Sequence, residues 1–89
     1  MKHQATDAFW KCYDALPLHI RQQADKNFDL LKANPDHPSL QLKAVGRFWS
    51  ARVGLSWRAL AVKDQESETL VWFWIGSHAE YDRLVGRRR

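Results

Sequence analysis

The hydrophobic positions in the first part of the chain recur at helical spacing, in two separate series. These positions are Phe9, Cys12, Tyr13 and Leu16 in the first series and Ile20, Ala24, Phe28 and Leu31 in the second. The first series predicts a helix from Asp7, as its N-cap, to about Leu16. The second predicts a helix that begins near Pro17 and ends before Pro35. Because the joint between them is short, the sequence predicts a helical hairpin over residues 1–35.

After the loop that follows these helices, the pattern becomes typical of β-strands. Residues 47–53 and 57–63 predict two strands joined by a tight turn at residues 54–56. Residues 69–76 are apolar at odd and even positions alike, which predicts a central strand covered on both faces. We therefore expect a small twisted antiparallel sheet of three to four strands over residues 39–76.

The end of the chain predicts one more short helix. Ser77 and Glu80 fit an S-x-x-E capping box, so the helix is expected over residues 77–86. The basic residues Arg87–Arg89 would follow as a frayed tail that adds electrostatic attraction. The whole pattern is typical of the α+β class, and 89 residues leave room for a single domain, residues 1–89.

The charge is distributed unevenly. The first 38 residues are neutral, so the whole net charge of +4 comes from Ser39 onward. Between Ser39 and Val62 the charged residues are all basic: Lys43, Arg47, Arg52 and Arg58. A field of one sign attracts anionic partners such as nucleic acid or an acidic protein. A solubilising face would carry the same charge, so the charge by itself leaves both interpretations open.

Several classes of protein are disfavoured by the composition. Cys12 is the one cysteine, which rules out an intrachain disulfide and fits a reducing compartment. No stretch approaches the roughly 18 apolar residues of a membrane span, and the first residues lack the apolar segment of a signal peptide. We therefore expect a cytoplasmic protein with no membrane partner. His3, His19 and His37 show no metal-ligand spacing, so no metal or other cofactor is expected.

The register of the two predicted strands at residues 47–53 and 57–63 suggests a site for an anion. If residues 54–56 form a three-residue loop, Arg52 faces Arg58 directly, whereas a two-residue loop would stagger them. Like charges in directly opposed positions are destabilising. A bound anion would account for the pair, because paired guanidinium groups suit the geometry of phosphate. The same face would carry Phe48, Ser50, Leu60 and Val62, and the alternate residues would pack under the helices.

Two further residues lie at the start of the last predicted helix. His78 would stand in the first turn, where backbone N–H groups favour an anion, and could shuttle a proton near neutral pH. A plain surface histidine at a helix start is the alternative. Tyr81 follows with an aromatic face that could stack on a base.

The segments Phe48–Val62 and Val71–Tyr81 resemble the RelE/ParE superfamily of type II toxin–antitoxin toxins. The shared pattern is an aromatic-x-x-Arg-x-Gly strand, an aromatic-Arg strand, and an apolar strand that ends in His and then Tyr. The helical hairpin and the loop at His37–Leu40 are also similar. The resemblance implies a helical hairpin packed on a twisted antiparallel sheet, with an antitoxin protein as partner. Many RelE-like members cut mRNA on the ribosome without a metal, so it also implies an endoribonuclease that inhibits translation.

The resemblance also implies roles for individual residues. The candidate catalytic residues are Arg52 and Arg58, which match phosphate-binding residues, His78, which matches an active-site histidine, and Tyr81, which matches a C-terminal tyrosine. The candidate RNA-binding residues are Lys43, Arg47 and Ser50.

The chain also departs from the family pattern. Ser50 stands where many members carry a catalytic lysine, and Ala79 stands where an arginine often follows the histidine. The N-terminal strand usual in the family is expected to be nearly absent, because helix signals begin by Asp7. One alternative is therefore a ParE-like inhibitor of DNA gyrase, and another is a catalytically silent module that binds an antitoxin.

Overall fold

The computed structural model describes residues 1–86, which form three helices and five strands. In chain order these are β1 (Lys2–Ala5), α1 (Asp7–Asp14), α2 (Leu18–Ala33), β2 (Lys43–Val45), β3 (Phe48–Val53), β4 (Trp57–Asp64), β5 (Thr69–Ser77) and α3 (His78–Leu84). The predicted α+β class is confirmed. The predicted basic tail, Arg87–Arg89, lies outside the described residues.

The sheet has five strands in the order β1-β5-β4-β3-β2, more than the three to four predicted. The antiparallel pairs β2–β3, β3–β4 and β4–β5 agree with the prediction. The sheet as a whole is mixed, however, because β1 pairs parallel with β5. Strand β5 therefore has a neighbour on each side, as its apolar sequence predicted.

The N-terminal strand β1 corrects the expectation that this strand would be nearly absent. Lys2 pairs with Thr69 and Ala5 with Trp72. The segment lacks the β-branched and aromatic residues that favour strands, so its conformation depends on backbone partners in β5, far along the chain. The cap of α1 is also one residue earlier than predicted, because the Thr6 side chain accepts a hydrogen bond from Phe9 N at 3.1 Å.

The predicted helical hairpin is present as α1 and α2, and β1 occupies the start of the range 1–35 that was assigned to the hairpin. Helix α1 packs on β5 and α2 on β3, and Tyr13 Oη of α1 donates to Asp25 Oδ1 of α2 at 2.7 Å. The core lies between these helices and the sheet. Its buried residues are Leu16, Ile20, Leu31, Leu40, Ala51, Val53, Ala59, Ala61, Leu70, Trp72 and Ile75.

A bulge divides the aromatic residues of β5 between the two faces of the sheet. Leu60 pairs with Trp74, but the next residue, Ala61, pairs with Trp72, so Phe73 is the extra residue of β5. Trp72 therefore joins the core under α1, whereas Trp74 lies on the opposite face. Helix α3 packs on β4 and β5 on that opposite face.

Candidate anion-binding site

The predicted pair of opposed arginines is present on the face of the sheet turned away from α1 and α2. Arg52 of β3 pairs directly with Arg58 of β4, and Val53 pairs with Trp57. The loop between them has three residues and begins with Gly54 at a φ of +64°, a conformation that favours glycine. The three-residue loop on which the prediction depended is therefore confirmed.

The Arg58 side chain is held in place by the turn and by α3. Its Nη1 donates to Trp57 O at 2.8 Å and reaches Leu55 O at 3.4 Å, and its Cζ lies 5.9 Å from the centre of the Tyr81 ring. Burial lowers the pKa of Arg58, and the positive charge of Arg52 lowers that pKa further. The two guanidinium groups thus repel each other in a partly dehydrated place, where a bound anion would relieve the repulsion.

Helix α3 begins at this site because its first residues are capped. Ser77 Oγ accepts from Glu80 N at 3.2 Å, and Glu80 Oε1 accepts from Ser77 N at 3.2 Å, so the predicted capping box is confirmed. The next residue, His78, donates its backbone N–H to Ser56 O at 2.7 Å. This bond ties the start of α3 to the turn that carries Arg58.

The ring of His78 lies between two residues of its own helix. Its Nδ1 is 3.2 Å from Asp82 Oδ2, and its ring centre is 5.8 Å from that of Tyr81. Because Tyr81 also lies under Arg58, it bridges the histidine and the arginine pair. The structure therefore brings Arg52, Arg58, His78 and Tyr81 into one cluster, with Asp82 at its edge.

Tyr81 is buried, whereas stacking on a base requires an exposed ring. The residue is 2% exposed, because it is the buried residue of α3 where the helix rests on the sheet. In this arrangement its ring supports Arg58 and offers no free face to a base.

The three candidate RNA-binding residues are spread along the sheet. Lys43 is exposed and pairs with Ser50, which is 2% exposed and so does not offer its hydroxyl to a ligand. Arg47 lies in the turn between β2 and β3, with its Cζ 5.3 Å from the Phe48 ring. Five residues of strand, roughly 16 Å, separate it from Arg52. Of the three, Lys43 is the one placed to extend the arginine cluster.

Solved structures with a similar fold are toxins of toxin–antitoxin systems. A chain of the RelBE2 toxin–antitoxin complex from Mycobacterium tuberculosis aligns with a TM-score of 0.64 and 22% identity, over 85% of this chain and 95% of that one. The YoeB/ParE toxin from Agrobacterium tumefaciens aligns with a TM-score of 0.66 and 15% identity, over 88% and 99%. This chain has the RelE/ParE toxin fold.

The isolated Escherichia coli RelE toxin is similar over nearly the whole length. It aligns with a TM-score of 0.63 and 14% identity, covering 97% of this chain and 96% of that one. No protein-family model matches the sequence, and no curated protein is significantly similar to it. The RelE/ParE fold is therefore established here by backbone shape.

The other face of this RelE/ParE fold carries a cavity of about 260 Å³ between α1, α2 and the sheet. Its lining is mainly apolar, and two pairs of its polar side chains are hydrogen-bonded: Tyr13 donates to Asp25, and His3 Nδ1 accepts from Trp72 Nε1 at 3.1 Å. Burial lowers the pKa of His3, which favours the neutral ring that accepts this bond. This cavity extends the core, and the groups suited to anion chemistry lie on the opposite face.

Two further features of residues 1–86 concern membranes and metals. No helix in this range combines the length and the hydropathy of a membrane span. No three His, Cys, Asp or Glu side chains in the same range come together as metal ligands.

Asp82 is the residue of this cluster that the sequence analysis overlooked. The available signal was its spacing, since a carboxylate four residues after His78 lies on the same side of a helix. The spacing alone did not link Asp82 to the site, because the contact between α3 and Arg58 exists only in the tertiary structure.

Proposed function

We propose that this chain is the toxin of a type II toxin–antitoxin module and that it inhibits translation as a metal-independent, ribosome-dependent mRNA endoribonuclease. The RelE/ParE fold supports the first part, because the similar structures include the RelBE2 toxin–antitoxin complex and the RelE toxin. The resemblance of the β3–β4 and β5–α3 segments to RelE-like toxins supports the second part. The proposed target, mRNA on the ribosome, is cytoplasmic.

The observation that carries the proposal is the Arg52–Arg58 pair beside His78. In RNA cleavage of this kind the 2′-hydroxyl attacks the adjacent phosphorus, a base removes its proton, and cations stabilise the charge on the phosphate oxygens. Two opposed guanidinium groups suit the phosphate, and a histidine suits the proton transfer. The cluster therefore offers side chains for two of these tasks, proton removal by His78 and charge stabilisation by Arg52 and Arg58.

The proposed partner is a cognate antitoxin. Complexes of similar toxins with their antitoxins, such as RelBE2 and the archaeal RelE–RelB complex from Pyrococcus horikoshii OT3, support this. A small protein encoded next to this chain is the natural candidate, and co-expression with it should restore growth to cells that make the toxin.

Gyrase inhibition is the second candidate function, and two residues favour it. Ser50 is buried where many nuclease members carry a lysine, and the exposed Ala79 stands where an arginine often follows the histidine. A toxin named YoeB/ParE shares the fold. A silent antitoxin-binding module is the third candidate.

The first prediction concerns toxicity. Arg58→Ala removes the guanidinium that faces the phosphate, and His78→Ala removes the proton acceptor. Each variant should lose translation arrest after induced expression, with cleavage falling at least a hundredfold, the usual size of an acid–base contribution. Growth curves and mapping of transcript ends measure the two effects.

The matched controls are Arg83→Ala, an exposed arginine of the same helix, and His19→Ala, an exposed histidine of α2. Both should remain toxic. All variants must give wild-type circular dichroism spectra. Full toxicity of both Arg58→Ala and His78→Ala would contradict the site.

The same induction separates the three functions. Halted translation with transcripts cut within codons identifies the nuclease. Accumulated cleaved DNA and an SOS response identify gyrase inhibition. Normal growth together with binding to the adjacent gene product identifies the silent module.

A further inference from the structure

His78 and Asp82 lie one turn apart on α3, with Nδ1 and Oδ2 3.2 Å from each other. Their side chains are 43% and 40% exposed, so the pair is at the surface but not surrounded by water. A carboxylate that accepts a hydrogen bond from one ring nitrogen determines which nitrogen carries the proton and how the ring is turned.

Three contacts restrict the position of this imidazole. The His78 backbone N–H is bound to Ser56 O at 2.7 Å, the ring lies 5.8 Å from the Tyr81 ring, and Nδ1 is directed at Asp82. Because Nδ1 is occupied, Nε2 is the ring nitrogen left to meet a ligand. Tyr81 in turn contacts Arg58, so the ring is oriented relative to the guanidinium pair.

We propose that Asp82 is a positioning residue for His78: its carboxylate accepts a hydrogen bond from Nδ1–H and thereby presents Nε2 as the unprotonated base. The catalytic meaning of this arrangement rests on the proposed nuclease function. In that reaction Nε2 accepts the proton of the 2′-hydroxyl while the O2′–P bond forms. The P–O5′ bond breaks, and the departing 5′ oxygen takes a proton from water. The products are a 2′,3′-cyclic phosphate and a 5′-hydroxyl end.

A simpler interpretation is that the pair only stabilises the helix, as many i, i+4 ion pairs do. The charge of Asp82 also acts on Arg58. A loss of activity on mutation would therefore not identify the role of Asp82, and the test needs a readout that belongs to the His78 ring alone.

The second prediction uses ¹⁵N NMR of the imidazole nitrogens at about pH 8.5, where histidine side chains are neutral. Protonated and unprotonated ring nitrogens have distinct shifts, so the spectrum reports the tautomer. Wild-type protein should show His78 with the proton on Nδ1. Asp82→Asn can donate an amide hydrogen to Nδ1, which should move the proton to Nε2. Asp82→Glu keeps a carboxylate within reach and should restore the wild-type tautomer.

Asp29→Asn is the matched control, because Asp29 is also a helix carboxylate with a basic partner, Lys32 at 3.7 Å, but lies on α2. It should leave the His78 spectrum unchanged. An Nε2-protonated His78 in the wild type, or the same tautomer in Asp82→Asn as in the wild type, would overturn the inference.

Single-turnover cleavage of RNA on ribosomes provides the catalytic readout. Asp82→Asn should slow the chemical step roughly ten- to a hundredfold without weakening RNA binding, and Asp82→Glu should recover most of the rate. A tautomer change with an unchanged rate would overturn the catalytic role of the positioning. If the wild type cuts no RNA while the tautomer behaves as expected, the proposed function fails and the placement of the His78 ring stands.

Discussion

At the scale of single residues, the opposed arginines lower the stability of the free protein but suit the proposed binding of an anion. Arg52 and Arg58 occupy directly paired positions, where like charges destabilise a sheet. The Nε of Arg52 is also buried without a hydrogen-bond partner in the described part of the chain. Both features are unfavourable in the free protein, and an anion bound between the two guanidinium groups would offset their repulsion.

The third prediction follows from this conflict. Arg52→Gln removes the repulsion and the buried donor, so it should raise the free energy of unfolding, by up to about 1 kcal/mol. The same change should weaken binding of a short RNA oligonucleotide, measured by fluorescence anisotropy at fixed salt concentration. Urea unfolding measures the stability.

Arg47→Gln is the comparison, since Arg47 is an exposed arginine in the turn that precedes β3. It should change stability little. If Arg52→Gln destabilises the protein, the pair is a structural feature and the argument for an anion loses its main support.

At the scale of elements, the start of α3 is where local sequence and the site meet. The capping box orients the first turn of the helix, and the bond from His78 N to Ser56 O places that turn beside β4. Gly76 lies just before it, and a Cβ there would approach Glu80 Oε1 to 2.9 Å and would also clash with the Trp74 ring. Glycine is thus required where the strand passes under the helix.

The fourth prediction concerns this cap. Ser77→Ala removes the side-chain acceptor for Glu80 N, and loss of an N-cap typically costs about 1 kcal/mol. Because α3 has only seven residues, its fraying should also release the ring of His78. Chemical unfolding and NMR line widths of the His78 ring measure the two effects.

Ser56→Ala is a suitable control, because Ser56 contacts α3 through its backbone carbonyl and its side chain is exposed. It should leave both the stability and the His78 line widths close to wild type. Equal effects of the two substitutions would show that the box does not determine the position of α3.

At the scale of the whole molecule, the sheet separates the hydrophobic core from the candidate site. One face is covered by α1 and α2 and holds the core, and the other carries the arginine cluster and α3. The bulge in β5 makes this division possible, since it turns Trp72 toward the core and Trp74 toward α3. Three basic residues of the second half of the chain, Lys43, Arg52 and Arg58, lie on strands β2, β3 and β4 of this sheet.

The fifth prediction tests how β1 is joined to this sheet. Trp72 Nε1 donates to His3 Nδ1 across 69 positions of the sequence. Burial, and then the charges of the N-terminus and Lys32, lower the pKa of His3 below its ordinary value of 6.5. A lowered pKa means that the folded state prefers neutral His3, so its contribution is complete above pH 6.5 and is lost as the pH falls through the lowered pKa.

The melting temperature should therefore fall more between pH 7.5 and pH 5 in the wild type than in His3→Gln, whose amide oxygen can still accept from Trp72. Scanning calorimetry at several pH values gives the comparison. His19→Gln, a change at an exposed histidine of α2, should retain the wild-type pH dependence. Identical pH profiles of the wild type and His3→Gln would show that protonation of His3 does not affect the stability of the fold in this pH range.

How much could be predicted from the sequence depends on how far apart the interacting residues lie. The two helices, the Arg52–Arg58 register and the capping box all follow from residues within about a dozen positions of each other, where spacing and turn length leave few alternatives. The helices and the capping box were predicted, and the register was predicted on the condition of a three-residue loop; the structure has all three features.

Only the tertiary structure could decide the rest. Strand β1 forms because β5, far along the chain, supplies its backbone hydrogen-bond partners. The short strand β2 forms because it pairs with β3 at the opposite edge of the sheet. The burial of Tyr81 and Ser50 depends on where α3 and the neighbouring strands lie, which no local pattern records. The sequence by itself reduced the register of Arg52 and Arg58 to two alternatives that differ in turn length, and the structure has the three-residue loop that makes them face each other. Only the fold places His78, which Asp82 contacts, beside the two arginines. The reason is that α3 reaches the β3–β4 turn through tertiary packing, which does not follow from the local sequence of either element.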